Sequence, residues 1–307
     1  MALRDHQSSP FARLVLGTAQ LGMNYGIANQ SGRPSEEQAQ ALVQSAITQG
    51  LTWFDTAAAY GDSEAVLGAA FNALGVKDQM NVISKGSLLA NDGDSLSGRV
   101  NRSLQRLALP RLHTWLLHDE SQLSGWNEST RREARTLREE NRVGAFGISV
   151  YQPAKALEAV KQHGLTAVQF PACPFDRRFL RSEISTRLAD AGAQIYIRSV
   201  YLQGLCLMHP AQVPSQIFRG RDAVQTLADF CERHGFERDQ FCLHYVLQRT
   251  AKAGARLVIG AERIEQLTRN AAILSASPIS ADCMDEWDSL WPDDLDDLIL
   301  PFRWSAR

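Results

Sequence analysis

The chain has 307 residues, 44% of them hydrophobic, enough to bury a sizeable core either as two ordinary domains or as one barrel-sized domain. Its 32 basic and 34 acidic residues are interspersed and leave a net charge of −2, so the polybasic arm or stripe that nucleic-acid binding needs is missing. The first eleven residues carry no apolar leader-like run and the longest apolar stretches are strand-sized, which predicts a cytoplasmic protein without a membrane span.

A short β-rich run followed by a helical pattern recurs along the chain. It opens with a strand at 14–18 and a long loop at 22–34. Ser35 stands where a helix N-cap belongs, Ala39, Leu42, Val43, Ala46 and Ile47 follow at helical spacing, and Gly50 supplies a left-handed stop before a strand at 51–55. A helix starting near Asp62 or Ser63 carries Leu67, Ala70, Phe71 and Leu74 on one face, ends at Gly75, and leads into a strand at 81–85. Further strands are predicted at 114–118, 145–149, 167–170, 194–199 and 256–260, with a second long loop at 201–220. Pro153 opens the helix after the fifth strand and Gly164 closes it.

Eight strands in one unbroken series predict a (β/α)8 TIM barrel over about 13–275, in a single domain of 1–307. A doubly wound open sheet uses the same local signals, but the loop after the first strand lacks its G-x-G-x-x-G. The acidic, tryptophan-containing C-terminal tail at 276–307, with Asp293, Asp294, Asp296 and Asp297, is placed to cover one end of the barrel. The five cysteines (Cys173, Cys206, Cys231, Cys242, Cys283) lack C-x-x-C spacing and fit buried, reduced thiols rather than a disulfide framework or a metal site.

Several strands end in a polar residue where the apolar run stops: Asp55, Lys85, His118, Ser149, Gln169 and Ser199, at successive spacings of 30, 33, 31, 20 and 30. A βαβ repeat takes about 30 residues, so these side chains gather at the C-terminal mouth of a barrel, where active sites of this architecture lie. Taken singly, each has a structural explanation: a helix cap for the Asp, a snorkelling stem for the Lys, a hydrogen-bonded core group for the His. Their coincidence points to a site. Lys85 and His118 follow apolar runs, and an ammonium drawn into such a rim needs a carboxylate partner, for which Asp55 is the natural choice.

The segment Phe54-Asp55-Thr56-Ala57-Ala58-Ala59-Tyr60-Gly61, followed by Ser63-Glu64-Ala65-Val66-Leu67-Gly68, resembles the signature of the aldo-keto reductase superfamily around its catalytic Asp and Tyr. Ile83-Ser84-Lys85 and Leu117-His118 resemble the strands bearing its catalytic Lys and His, and the resemblance runs from about 14 to 270. It implies that Tyr60 is the general acid for carbonyl reduction and that Lys85 tunes it by stabilising the phenolate. Asp55 then holds Lys85, and His118 orients the carbonyl and takes part in proton transfer.

The resemblance further implies a nicotinamide cofactor, NADPH by family habit with NADH as the alternative. Gly147-Ile148-Ser149, Val168-Gln169, Arg198-Ser199-Val200-Tyr201-Leu202-Gln203-Gly204 and Val258-Ile259-Gly260-Ala261 are similar to its cofactor-contacting segments. The implied contacts are Gly17, Thr18, Ser149, Gln169, Arg198, Ser199, Leu202, Gln203, Gly204, Gly260, Ala261, Glu262, Gln266 and Asn270. Three positions depart from the common pattern: Val150 in place of Asn, Arg198 in place of an aromatic shelf for the nicotinamide, and Glu262 in place of Arg. Glu262 suits the ribose hydroxyls of NADH, whereas Arg263 or Arg269 offers a charge to the 2′-phosphate of NADPH.

The substrate implied is a small carbonyl compound, a sugar among the candidates, since the opening Leu16-Gly17-Thr18-Ala19-Gln20-Leu21-Gly22-Met23-Asn24-Tyr25-Gly26 resembles a bacterial subgroup linked to sugar metabolism. Its pocket is expected from Met23, Tyr25, Asp119 and Tyr201, with Leu88, Leu89, Phe175, Asp176, Arg177 and Trp291 or Trp304 alongside. No metal is expected, and the chain is read as a monomer or weak homo-oligomer. Two rival readings stand beside carbonyl reduction: an aldose dehydrogenase running oxidatively with Tyr60 as base, and a non-enzymatic cofactor-sensing subunit.

Overall fold

The computed structural model describes residues 11–29, 32–88, 93–181, 183–291 and 295–304. Residues 1–10, in the leader reading, together with Leu89, Asp293 and Asp294, lie outside the described residues. The strands are β1 (Leu14–Gly17), β2 (Trp53–Asp55), β3 (Asn81–Gly86), β4 (Leu112–Leu117), β5 (Val143–Ser149), β6 (Ala167–Pro171), β7 (Gln194–Arg198) and β8 (Arg256–Gly260). Around them run α1 (Ala19–Gly22), α2 (Glu36–Thr48), α3 (Ser63–Leu74), α4 (Leu96–Leu107), α5 (Glu128–Glu139), α6 (Pro153–Lys161), α7 (Ile184–Asp190), α8 (Gly220–His234), α9 (Arg238–Arg249) and α10 (Ile264–Ser275). The chain ends in α11 (Ala281–Leu290) and α12 (Asp296–Ile299).

The strands form a closed parallel barrel in sequence order, with β1 paired to β8, as the eight-strand reading predicts. Local chemistry starts and stops the helices as expected. Ser35 Oγ accepts from the Gln38 N–H at 3.2 Å while Gln38 Oε1 accepts from the Ser35 N–H at 2.9 Å, a reciprocal cap on α2. Gly75 closes α3 with φ at 65°, in the left-handed region. Among the described residues, no helix is long and apolar enough to cross a membrane, and all five cysteines are buried and free.

Period-two alternation sorts each strand into an inner and an outer set. Val15, Ile83, Leu116, Ala167, Tyr196 and Val258 fill the barrel interior, with Trp53 packed against them. Their neighbours Leu16, Phe54, Val82, Leu117, Val168, Ile197 and Leu257 face outward into the larger core under the helices. The interior also carries polar closure: Thr114 Oγ1 lies 3.1 Å from the Tyr196 hydroxyl, which donates to Gln194 Oε1 at 2.7 Å, and the Arg256 guanidinium lies 4.0 Å over the Trp53 ring. A plug this complete leaves only the C-terminal mouth for chemistry.

The first helix of the tail packs on the side of the barrel. Trp287, with no exposed surface, sits against Phe175, Phe230 and Phe241, stacks on Trp291, and donates its indole N–H to Pro174 O at 2.9 Å. Arg177 donates to Asp288 O and Oδ1, each at 2.9 Å, and to Trp291 O at 2.6 Å. The tail therefore packs on α8, α9 and the loop after β6, and its indoles serve that packing. Phe302, 60% exposed, reaches the mouth, edge-on to Tyr151 at 5.4 Å.

Trp287→Ala is expected to lower stability by about 3–5 kcal/mol in urea unfolding. A loss below about 1 kcal/mol would mean that the tail packs peripherally.

Candidate active site

Each mouth residue stands two positions beyond an inner-plug residue: Asp55 beyond Trp53, Lys85 beyond Ile83, His118 beyond Leu116, Gln169 beyond Ala167, Arg198 beyond Tyr196. Period two alone thus turns these side chains inward above the plug. Lys85 is 1% exposed; its Nζ donates to Asp55 Oδ1 at 2.6 Å and to Thr56 O at 2.9 Å. The second carboxylate oxygen of Asp55 accepts from Gln169 Nε2 at 2.7 Å. Burial pulls the Lys85 ammonium below its usual range, and Asp55 opposes that pull.

Tyr60 sits on the turn after β2, half-buried, with Lys85 Nζ 5.0 Å from its ring centroid and the His118 ring edge-on at 5.7 Å. A tight backbone contact sets this turn. A Cβ on Gly22 would run into Tyr60 O and the Ser63 backbone, and one on Gly61, whose φ is 55°, would run into Gly22 O. Below it, Ser63 Oγ donates to Thr18 O at 2.7 Å, and Thr18 Oγ1 donates to Asp55 O at 2.9 Å. Thr18, expected at the cofactor, thus also pins the ends of β1 and β2 together. Burial, then the Asp55 charge, push the Tyr60 phenol well above its usual value, with Arg198 pulling the other way. In the free protein Tyr60 is a neutral phenol.

His118 is held down to about 4 by burial first, then by the Lys85 and Arg198 charges, with Asp119 opposing. Its imidazole is therefore neutral at pH 7. Asp119, expected at the substrate, uses its carboxylate locally: Oδ1 accepts from the Ser121 N–H at 2.9 Å and Oδ2 from Gln122 Nε2 at 2.8 Å. Gln122 Oε1 in turn accepts from the Leu88 N–H at 3.1 Å, joining the loops after β3 and β4.

A cleft of about 290 Å³ runs from Tyr60 and Asp55 past Gly17, Thr18 and Arg198 to Gly260, Glu262 and Gln266, with Tyr25, Ser199, Tyr201, Gln203 and Gly204 on its other wall. Beside it, Ser199, Leu202, Gln203 and Gly204 all have φ between 47° and 90°. Left-handed backbone at the three non-glycine positions costs roughly 1–3 kcal/mol each and persists only where surroundings enforce it. Arg238 anchors the end of this loop, donating to Cys206 O at 3.1 Å, Met208 O at 2.6 Å and Leu207 O at 3.0 Å. Ile27 N donates to Gln203 O at 3.1 Å, tying in the first loop.

Several expected residues have other engagements. Tyr201 donates to Asn270 Oδ1 at 3.2 Å, between the loop and α10. Gln266 Oε1 accepts from the Glu262 N–H at 2.6 Å and the Arg263 N–H at 3.1 Å, closing the loop after β8. Arg269 is bound by two nitrogens to Asp239, at 2.8 and 2.9 Å. Arg198 stacks over Tyr151 at 4.3 Å, so one face of the expected shelf is already covered. Asp176 is buried against Arg178 and Arg177 is bound to the tail, so both brace the loop after β6. Leu202 and Ala261 are buried beside the cleft, Met23 is exposed on its approach, and Ser149 accepts from Arg198 Nε at 3.3 Å. Among the described residues no His, Cys, Asp and Glu cluster is arranged to hold a metal.

The sequence reading missed Gln20, whose Nε2 donates to Gly17 O at 2.9 Å and Ala261 O at 2.7 Å and so locks the β1 and β8 ends under the cleft. It also missed Gly22, Tyr151, Arg238 and Phe302. Gly22 was legible as an unexplained glycine in the first loop; the others need tertiary contacts to be seen.

The residues present suit a nicotinamide group. Gln169 Oε1 is buried without a hydrogen-bond partner, an acceptor aimed at something with N–H groups. Because the His118 proton is refused by the fold and taken by the unfolded chain, His118 contributes to a fall in stability as pH drops from 6.5 through about 4, and His118→Asn is expected to make that fall shallower while buried His113, held down in the same way, keeps its own share. NMR titration of the wild-type ring is expected to find its midpoint near 4; titration above 6 would contradict the assigned environment.

The aldo/keto reductase family profile matches residues 13–292. No curated protein matches the chain by sequence. Among solved structures, the aldo-keto reductase AKR11C1 from Bacillus halodurans, in its holo form, superposes with a TM-score of 0.73 at 20% identity, covering 94% of this chain and 95% of that one. A Pseudomonas aeruginosa protein assigned to the aldo-keto reductases, PA4992, gives a TM-score of 0.61 at 22% identity over 86% and 89% of the two chains. With a family match across nearly the whole barrel and a tyrosine, a lysine–aspartate pair and a histidine at its mouth, this chain belongs to the aldo/keto reductase family and is an oxidoreductase of the carbonyl/alcohol type.

Proposed function

We propose that the protein reduces an aldehyde or ketone to an alcohol with NAD(P)H, with Tyr60 as proton donor. The convergence of Tyr60, His118 and the buried Lys85–Asp55 pair at one end of the cleft carries this reading. When bound, the reduced nicotinamide supplies the hydride. Ser149 and Gln169 hold its carboxamide, the unpartnered Gln169 Oε1 accepting an amide N–H. The loop Ser199 to Gly204 would hold the phosphates, and Gly260, Ala261, Glu262, Gln266 and Asn270 would hold the adenosine end.

The protein's own residues handle charge and protons. The neutral His118 imidazole donates a hydrogen bond to the carbonyl oxygen and so polarises it. Tyr60 gives its proton to that oxygen as negative charge develops, and the Lys85 ammonium stabilises the phenolate left behind. Asp55, hydrogen-bonded to Lys85 and Gln169, holds the ammonium in place against its own desolvation.

The raised phenol keeps its proton in the free protein, as the acid of a carbonyl reduction must, and the oxidative aldose reaction is the same step reversed with Tyr60 as base. NADPH is the proposed cofactor, following general family habit, with NADH as the alternative. Asp239 engages Arg269, which leaves the exposed Arg263 as the cation of this loop for a 2′-phosphate.

Tyr60→Phe is expected to lower kcat for a reactive benzaldehyde by about 100-fold or more, while binding of reduced cofactor, followed by quenching of protein fluorescence, stays near wild type. Retention of most turnover would remove Tyr60 from the proton-donor role.

A further inference from the structure

Arg198 occupies the inward position above Tyr196 on β7, lines the cleft together with Tyr60 and Tyr25, and is held rigidly on one side. Its Nε donates to Ser149 Oγ at 3.3 Å, and its plane lies 4.3 Å over the Tyr151 ring. Tyr151 is itself braced, edge-on by Phe302 of the tail and through its backbone N–H, which donates to Glu120 Oε2 at 2.9 Å. Among the described residues, nothing hydrogen-bonds or ion-pairs with the two terminal nitrogens of Arg198.

The carboxylates beside the reacting groups are engaged, while Glu262 lines the cleft next to Gly260. Asp55 is bound to Lys85 and Gln169, Asp176 to Arg178 at 2.8 and 2.6 Å, and Asp119 to Ser121 and Gln122. With Lys85 balanced by Asp55 and His118 neutral, the guanidinium is a charge beside the reacting groups that feels Asp176, itself bound to Arg178, but forms no ion pair among the described residues. Its field reaches Tyr60, Tyr25, Lys85 and His118. A half-buried, pre-oriented guanidinium with open terminal nitrogens matches an oxyanion such as a carboxylate or phosphate, which it binds in a fork.

We infer that Arg198 selects a carbonyl substrate carrying an anionic group, which its terminal nitrogens hold while the carbonyl faces Tyr60. This rests on the carbonyl-reducing reading of the same site. Tyr151 and Phe302 are then positioning residues that fix the plane of the guanidinium. The rival source of the anion is a phosphate of the cofactor itself.

The test is calorimetric binding of 4-(hydroxymethyl)benzoate and of its uncharged methyl ester to the full-length protein, with NADPH titrated separately. Wild type is expected to bind the acid about 10-fold to 100-fold tighter than the ester, the range of a charge-assisted hydrogen bond. The ratio should fall to about 1 in Arg198→Met and to an intermediate value in Arg198→Lys, which keeps the charge and loses the fork. A wild-type ratio near 1, or an undiminished ratio in Arg198→Met, overturns the inference. So does a wild-type ratio near 1 accompanied by weakened NADPH binding in Arg198→Met, which would assign the guanidinium to cofactor phosphate. Turnover of the two corresponding aldehydes is read independently: failure of both ends the carbonyl-reduction reading, while the binding ratio still decides the anion site.

Discussion

The Lys85–Asp55 ion pair is the interaction on which the mouth of this barrel depends. Two charges taken almost wholly out of water lose several kcal/mol of hydration apiece, and Coulomb attraction recovers it only with good geometry and further hydrogen bonds. Here the bonds to Thr56 O and from Gln169 Nε2 provide them. Replacement of such a pair by apolar side chains is often neutral or stabilising, so stability alone does not account for it. In the proposed mechanism its use is electrostatic: a fixed ammonium beside a phenol that briefly becomes a phenolate.

The barrel delivers these groups by a simple rule. A closed parallel sheet fills its interior with layers of apolar side chains, and the inward positions beyond them open at the mouth. Chemistry therefore needs only one polar residue two places after a plug residue, and the strands supply Asp, Lys, His, Gln and Arg at those places. Tyr60 is the exception, since it comes from a loop and owes its place to the Gly22–Gly61 backbone contact and the Thr18–Ser63 bonds.

The strand-end polar residues and their spacing near one βαβ repeat were legible before any coordinates, because period two and repeat length are properties of sequence. The same logic shifted by one residue at β7, where Ser199 looked like the strand-end group and Arg198 holds the inward position. The hydrogen bonds of Asp119, Tyr201 and Arg269 were not legible, because each depends on a partner brought in by the fold: Gln122 from the following turn, Asn270 from α10, Asp239 from α9. The packing of the tail was not legible for a related reason, since buried and pocket-lining tryptophans read alike in a sequence. Phe302, which meets Tyr151 at the mouth, carries no local signal.

In the proposed reaction a neutral tyrosine, a neutral histidine and a caged ammonium act together on a carbonyl that accepts hydride from a nicotinamide in the adjoining cleft. The most direct measurement follows the hydride itself. NADPH deuterated on each face of C4 in turn is incubated with the protein and an aldehyde, and the alcohol is analysed by mass spectrometry. The account predicts that one of the two cofactors transfers a single deuterium to the carbinol carbon. Formation of no alcohol, or of alcohol without label from either cofactor, would contradict it.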